Sequence, residues 1–372
     1  MSRSLAEIRV IETAQHVAGP YCGKLLADHG ADVIKVEPPG GDSARARGPF
    51  PGDTPDADRS GLFLHLNTNK KSVVLDLQTD ASRRLLGGLT SGARLLIDDG
   101  TLAAAGVDAG ELMAANPALV VVQVSGYGDG GPYGDYRAND FAIYASSAWM
   151  CAMGDPDRPP LYPGRDYPFY VCGLYAAFGA LVALRHARLT GQGQRVTVSA
   201  LDASVSFDFY ETTKFSYRGK LRRRDSHMIT GVAASTQPCQ DGYVALTFAG
   251  EDDWQRFCDV IGAPELAQGA FETATLRLAN TDELNRLVQE ALSDKTQADV
   301  VRECQARHVA VSPVATTADI LRSEQLEARD WFAEAGGLTL TGPPFHLQHP
   351  EWRIDAPAPA LGADQSLVEE PA

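Results

Sequence analysis

Residues 163 to 174 read PGRDYPFYVCGL and lead into a run of small and apolar residues, LYAAFGALVALRHARLTGQGQ. Within that approach Asp166 is a candidate carboxylate nucleophile or general base, whereas Phe169 can be neither. Asp140 in RANDFAIYAS and Asp202 in SALDASVSF each open an apolar stretch, and a helix-capping or first-turn role accounts for them without chemistry. His16 stands after a strand-like run and beside AGP, within reach of a ligand, although a structural role would also account for a lone histidine. Cations gather in two further loops. Arg45 and Arg47 lie in GGDSARARGP, and Asn67, Asn69, Lys70 and Lys71 lie in LNTNKKSVVLDL. At the ends of strands such groups are candidates for a phosphate-bearing ligand, with a solvated basic loop as the plain alternative.

Other chemistries find less support in the sequence. GYGDGG at 126 to 131 satisfies G-x-G-x-x-G after a strand-like run. The dinucleotide fingerprint needs a helix opening inside the motif, and here Pro132, Tyr133, Gly134 and Asp135 prolong a loop, so neither NAD nor flavin is expected. No H-x-x-x-H or H-E-x-x-H pattern suggests a metal, and no G-x-S-x-G suggests a serine nucleophile. The six cysteines are scattered without a C-x-x-C pair, which is the usage of a reducing compartment. A net charge of −15 argues against nucleic acid and anionic lipid as partners. The N-terminal MSRSLAEIRVIETAQ lacks the pattern of a secretion signal, and no uninterrupted apolar stretch is long enough to span a bilayer, so a cytoplasmic protein without a membrane partner is expected.

The elements that must carry these residues are legible as an alternation. IRVIE, DVIKVE, SVVLDL, RLLID and LVVVQVS are short runs rich in Val, Ile and Leu, as buried parallel strands are. Helix patterns such as PYCGKLLADHG lie between them, with Pro near the start and Gly at the end. Such alternation implies an α/β fold with a parallel sheet covered on both faces. At 372 residues the chain is long enough for a second, smaller domain, and the pattern changes after the polar stretch YRGKLRRRDSH. The expected division is a large domain over 1–205 and 326–372, a linker over 206–224 and a small α+β domain over 225–325.

Taken together, AGPYCGKLLADHGADVIKVEPPGGD, LNTNKKSVVLDL, SGYGDGGPYGDYRANDF, GLYAAFGALVALRHARLTGQGQRVTVSALDA, DGYVAL and SPVATTADIL resemble the family III CoA-transferases. This CaiB/BaiF group includes formyl-CoA transferase, carnitine CoA-transferase and α-methylacyl-CoA racemase. The resemblance implies a Rossmann-like large domain built from both chain ends, a small domain between them, and two subunits interlocked like links of a chain. It implies coenzyme A or an acyl-CoA as substrate, lying near His16, Val17, Ala18, Arg45, Asn67, Lys70 and Lys71. In the transferases of this family an aspartate attacks the thioester, dividing acyl exchange into anhydride and enzyme-thioester steps.

Against that pattern the chain departs at several places. The family's aspartate stands four residues before the glycine that opens the small-residue helix, and counting back from Gly173 reaches Phe169. Asp166 lies three residues earlier, beside Pro168, which argues against a regular helix there. The racemase pair would need a histidine before Asp140, where the chain has Asn139. The loop after Asp99 is several residues shorter than the family's CoA-touching loop, and TFAGEDDW lacks the glycine run of a closing lid. The expectation is therefore a CoA-transferase subunit without its own nucleophile, paired with a sister chain that carries the aspartate, as the resemblance allows for transferases acting on aromatic or branched succinates. Two alternatives are a homodimeric acyl-CoA racemase, isomerase or hydratase-like enzyme using Asp166 or Asp140, and a non-catalytic CoA-binding or scaffold protein.

Overall fold

A computed structural model of the chain describes residues 3–154, 157–207, 211–221, 224, 236–248, 250–345, 347–349 and 352–368. The chain divides into two compact units, one over 1–150, 162–220 and 330–372, the other over 151–161 and 221–329. The expected small domain began at 225, which lies outside the described residues, as do two residues of the basic stretch before it. The segment 151–161, expected in the large domain, clusters with the second unit.

Six parallel strands build the first unit: β1 (Arg9–Glu12), β2 (Asp32–Glu37), β3 (Lys71–Val74), β4 (Leu95–Asp98), β5 (Val120–Ser125) and β6 (Arg195–Ser199). Their order in the sheet is β3-β2-β1-β4-β5-β6, so the direction of winding reverses between β1 and β4. Between and after them lie α1 (Ala18–Ala27), α2 (Gly61–Leu66), α3 (Asp80–Ser91), α4 (Thr101–Ala104), α5 (Ala109–Ala115), α6 (Asp140–Ser146), α7 (Tyr167–Thr190), α8 (Ala200–Val205) and α9 (Glu211–Arg218). Successive residues of the inner strands serve opposite cores, as a two-period backbone requires. Val10, Leu95, Ile97, Val120 and Val122 pack with α1 and α7, while Ile11, Leu96 and Val121 pack with the core that holds Leu86 of α3. This is the α/β architecture with a parallel sheet that the alternating runs require. β6, which the sequence reading passed over, is an edge strand, as β3 is on the other side, and its first four residues remain at least partly exposed.

The helix that carries the Asp166 region begins earlier than expected. Pro168 occupies the first turn of α7, where a missing N–H costs no hydrogen bond, so the proline starts the helix instead of interrupting it. The buried face of α7 is made of Cys172, Gly173, Ala176, Ala177, Ala180, Ala183 and Ala187 and lies against α1 and the sheet. A Cβ on Gly173 would stand 2.5 Å from the carbonyl oxygen of Ala18, so only glycine permits this approach of α7 to α1. By length and composition this 24-residue helix could also cross a membrane, which corrects the expectation that the chain holds no such segment.

The second unit has its own core. An antiparallel sheet of order β7 (Thr236–Cys239), β8 (Gly242–Leu246) and β9 (Val311–Pro313) packs with α10 (Glu251–Ile261), α12 (Thr281–Leu292) and α13 (Gln297–Ala306) around Trp254 and Phe257. The short α11 (Ala274–Ala279) carries the buried Arg277, whose guanidinium lies 5.0 Å from the Trp254 ring centroid and 2.7 Å from Glu251. Helices α14 (Thr317–Leu321) and α15 (Glu324–Ala328) complete it. The chain then returns to the first unit, adds the hairpin of β10 (Ala333–Ala335) and β11 (Leu338–Leu340), and ends along β3, where the Asp364 carboxylate accepts from Ser72 N–H at 2.9 Å.

Candidate active site

A cavity of about 510 Å³ opens at the carboxyl ends of β1, β4 and β5, beside the reversal in strand order where open α/β sheets bind ligands. The loop after β1 supplies Gln15, His16, Val17 and Ala18, and the loop after β4 supplies Asp99. Val124, Ser125 and Gly126 come from the end of β5, Ala138, Asn139 and Asp140 from the start of α6, and Asp166 and Phe169 from the start of α7. Arg47 completes the wall.

His16 adopts a left-handed backbone conformation, φ 69°, which is costly for a residue with a side chain. The Asp42 carboxylate holds it there by accepting from His16 N–H at 3.0 Å and Ala44 N–H at 2.7 Å. Asp42 also caps the single 3₁₀ turn Ser43–Ala46 that carries Arg45 and leads to Arg47. On a three-residue turn, side chains two positions apart point in different directions. Arg45 turns inward to Glu37, at 2.7 and 2.8 Å, while Arg47 turns to the cavity.

Asp166 sits at the N-cap of α7 with φ 60°, yet its carboxylate does not cap the helix. Both of its oxygens instead receive the Arg47 guanidinium, at 3.4 Å from Nη1 and 3.1 Å from Nη2, and Arg47 Nη1 also meets His16 Nε2. Asp140 lies alongside, accepting from Asp166 N–H at 3.0 Å and from the Tyr162 hydroxyl. Of the two roles expected for Asp140 and Asp202, both take the first-turn one: Asn139 caps α6, accepting from Ala142 N–H at 2.8 Å, and Ser199 caps α8. Phe169 also reaches the cavity, its ring meeting His16 edge to face at 5.8 Å.

The environment sets the protonation states. Burial, and then the Arg47 charge, push His16 below its usual range, so it is neutral near pH 7. Burial raises Asp99, although Gln15 N–H at 2.9 Å and the Thr101 hydroxyl at 2.6 Å donate to it. Burial also pushes Asp140 upward, but the Tyr162 hydroxyl and the Asp166 N–H outweigh it and hold Asp140 below the ordinary carboxylate range.

The remaining expected ligand residues do not line this cavity. Lys70 is buried and donates to Glu12 at 2.9 and 3.1 Å, to the Pro20 carbonyl at 2.8 Å and to Asn67 at 2.9 Å. Asn67 is buried with it and donates to the Phe63 carbonyl. Arg45 is buried between Glu37 and Asp58, its guanidinium 3.6 Å from the Phe63 ring centroid. Lys71 is the first residue of β3 and pairs at 2.6 Å with Asp32, the first residue of β2, at the opposite edge of the sheet. None of these four side chains reaches the cavity, because each is already committed to a carboxylate or backbone partner. The sequence reading passed over Asp99 as a site residue and grouped Arg47 with Arg45. The clue to Arg47 was the spacing of two arginines on a turn too short to point both the same way.

The profile of CoA-transferase family III matches residues 5–365. The succinate–glutarate CoA-transferase of Agrobacterium fabrum is 30% identical, over 98% of this chain and 94% of its own length. The alpha subunit of the succinyl-CoA–L-malate CoA-transferase of Chloroflexus aurantiacus is 32% identical, over 90% of this chain and 80% of its own. Among solved structures, a CaiB/BaiF family protein from Brucella suis superposes with a TM-score of 0.91 at 28% identity, covering 99% of each chain.

Proposed function

The chain belongs to CoA-transferase family III, and from that premise we propose that it is the non-nucleophilic subunit of a heteromeric enzyme that moves coenzyme A between an acyl-CoA and a carboxylic acid. Its partner would be a sister chain bearing the aspartate, and the acid a succinate with an aromatic or branched substituent. The observation that carries the reading is Phe169. It stands where the family resemblance places the nucleophile and presents its ring to the cavity. A phenyl ring cannot form the anhydride that begins the exchange, but it does offer an apolar wall to an apolar acid.

Two further observations support a partner. A named relative is itself one subunit of a two-subunit transferase. On α7 the residues Leu174, Phe178, Leu181, Val182 and Leu189 recur at helical spacing and are exposed, Phe178 to 66%, a stripe suited to burial against a second chain. Phe178→Glu should therefore weaken co-purification of the two chains.

A second reading has one observation in its favour: the Asp166 carboxylate lines the same cavity. As nucleophile it would attack the thioester carbonyl, expel the CoA thiolate and form the mixed anhydride; as base it would take a proton from the acyl chain. The two readings separate in one assay. The subunit reading expects CoA transfer from the co-expressed pair and none from the isolated chain, with Asp166→Asn weakening the pair's use of the acid without abolishing transfer. Turnover by the isolated chain that Asp166→Asn abolishes would contradict it.

A further inference from the structure

We propose that Arg47 is the specificity-determining residue for the acid: its guanidinium holds the free carboxylate of the substrate, so that the cavity prefers acids carrying a second carboxylate beyond the one joined to coenzyme A. The proposal rests on the reading of the chain as a transferase subunit for substituted succinates, and it names the group that would recognise them.

The charges around the cavity leave one place for a second carboxylate. Among the described residues that line it, Asp99, Asp140 and Asp166 carry carboxyl groups, His16 is neutral near pH 7, and Arg47 is the one cation. An anion moved from water into a partly closed cavity needs a compensating charge; beside Asp99 or Asp140 alone it would meet repulsion, whereas at Arg47 the guanidinium offsets the neighbouring Asp166. Arg45, the nearest cation in sequence, is spent on Glu37 and Asp58. The free carboxylate of a bound succinate is therefore steered to Arg47.

Arg47 is also built to receive it. A guanidinium has five N–H groups in a planar fork that matches a carboxylate, and the contacts to Asp166 and His16 engage three of them. Those to Asp166, at 3.1 and 3.4 Å, are longer than close charge-assisted bonds, and the Arg47 side chain is 35% exposed. Asp166 thus holds the fork in position without saturating it. The chain segment that carries Arg47 is fixed independently, by the Asp42 cap and by the Ser60 hydroxyl, which donates to the Arg47 carbonyl. Across the cavity Val17, Val124, Ala138 and Phe169 offer the apolar surface against which the substituent would lie.

The test is calorimetric titration of the purified chain with the N-acetylcysteamine monothioester of phenylsuccinate, esterified at the carboxyl distal to the ring, and with that of 3-phenylpropanoate, so that the reacting carboxyl is masked in both and only phenylsuccinate keeps a free carboxylate. The wild type should bind the phenylsuccinate thioester about tenfold or more tightly than the 3-phenylpropanoate thioester, the scale of one charge-assisted contact. Arg47→Met should remove that preference, and Arg47→Lys should restore part of it, which a merely structural role for Arg47 would not produce. Circular dichroism of each variant guards against loss of fold. Equal binding of the two thioesters by the wild type, no binding of either, or a preference that survives Arg47→Met would each overturn the proposal. Because the readout is binding and not transfer, it stands apart from the subunit reading. An acyl adduct formed on Asp166 of the isolated chain would sink that reading and leave the Arg47 result intact.

Discussion

Two sets of charged side chains hang from the same strand ends, and they are built in opposite ways. Beneath the loop after β1, Glu12 is shared by Lys35 at 2.9 Å and Lys70 at 2.9 Å, Lys35 reaches Asp42 at 2.6 Å, and nearby Lys24 pairs with Asp28 at 2.7 Å. All six side chains are buried and tightly partnered, and Glu12 and Lys35 are direct neighbours in the parallel register of β1 and β2. Gly23 makes room for them, since a Cβ there would lie 3.1 Å from Lys70 Nζ and collide with the Glu12 carboxylate. Above the loop, Arg47 and Asp166 make a longer pair that opens on the cavity. Asp42 touches both sets, through Lys35 below and the His16 N–H above. Charges saturated by protein partners hold strand ends together; charges left partly unsatisfied are the ones available to a ligand.

The sharpest way to break this contrast is Glu12→Gln. It leaves two buried lysines without their shared carboxylate and should cost about 3–5 kcal/mol in chemical denaturation. A loss below about 1 kcal/mol would mean that the buried cluster does not hold the sheet. Next in size is a pH effect at His65, which burial, assisted by the Lys24 charge, lowers to about 4. The unfolded chain protonates this histidine near pH 6.5 while the folded chain keeps it neutral, so its contribution is intact above that pH and is lost as pH falls toward 4. His65→Gln should therefore flatten the fall in stability over that window by up to about 3 kcal/mol, and an unchanged slope would show that the histidine is not held neutral. Arg47→Met, which breaks only the partly exposed pair, should cost about 1–2 kcal/mol, less than Glu12→Gln. Lys71→Ala, at the far edge of the sheet, should change stability by about 0.5 kcal/mol or less and leave acid binding untouched.

How far the sequence revealed this molecule depended on how each residue is partnered. The first five strands are Val, Ile and Leu runs because their positions are mostly covered, and that composition is visible without coordinates. β6 hides because an edge strand with exposed positions breaks the run. The start of α7 was obscured by Pro168, whose effect inverts between a first turn and a helix interior. Asp166, Asp140, Phe169 and His16, singled out from the sequence, all line the cavity, as polar and aromatic residues at the mouths of apolar helices often do. Lys70, Asn67 and Arg45 were expected at a ligand, and the structure buries all three away from this cavity, because a polar residue in a loop at a strand end gives no sign of which way it faces. A better signal was available in Glu12, Lys35 and Glu37. Charges inside otherwise apolar strands require buried partners of opposite sign, and Lys70 and Arg45 are those partners.

The central claim, that this chain shapes a transferase site without supplying its nucleophile, is tested most directly by trapping the acyl intermediate. The chain is incubated with succinyl-CoA or acetyl-CoA, alone and co-expressed with a sister chain, captured with hydroxylamine or borohydride, and mapped by mass spectrometry. The account predicts no adduct on this chain under either condition and an adduct on an aspartate of the sister chain. An adduct on Asp166 of the isolated chain would contradict it and make this protein a transferase in its own right.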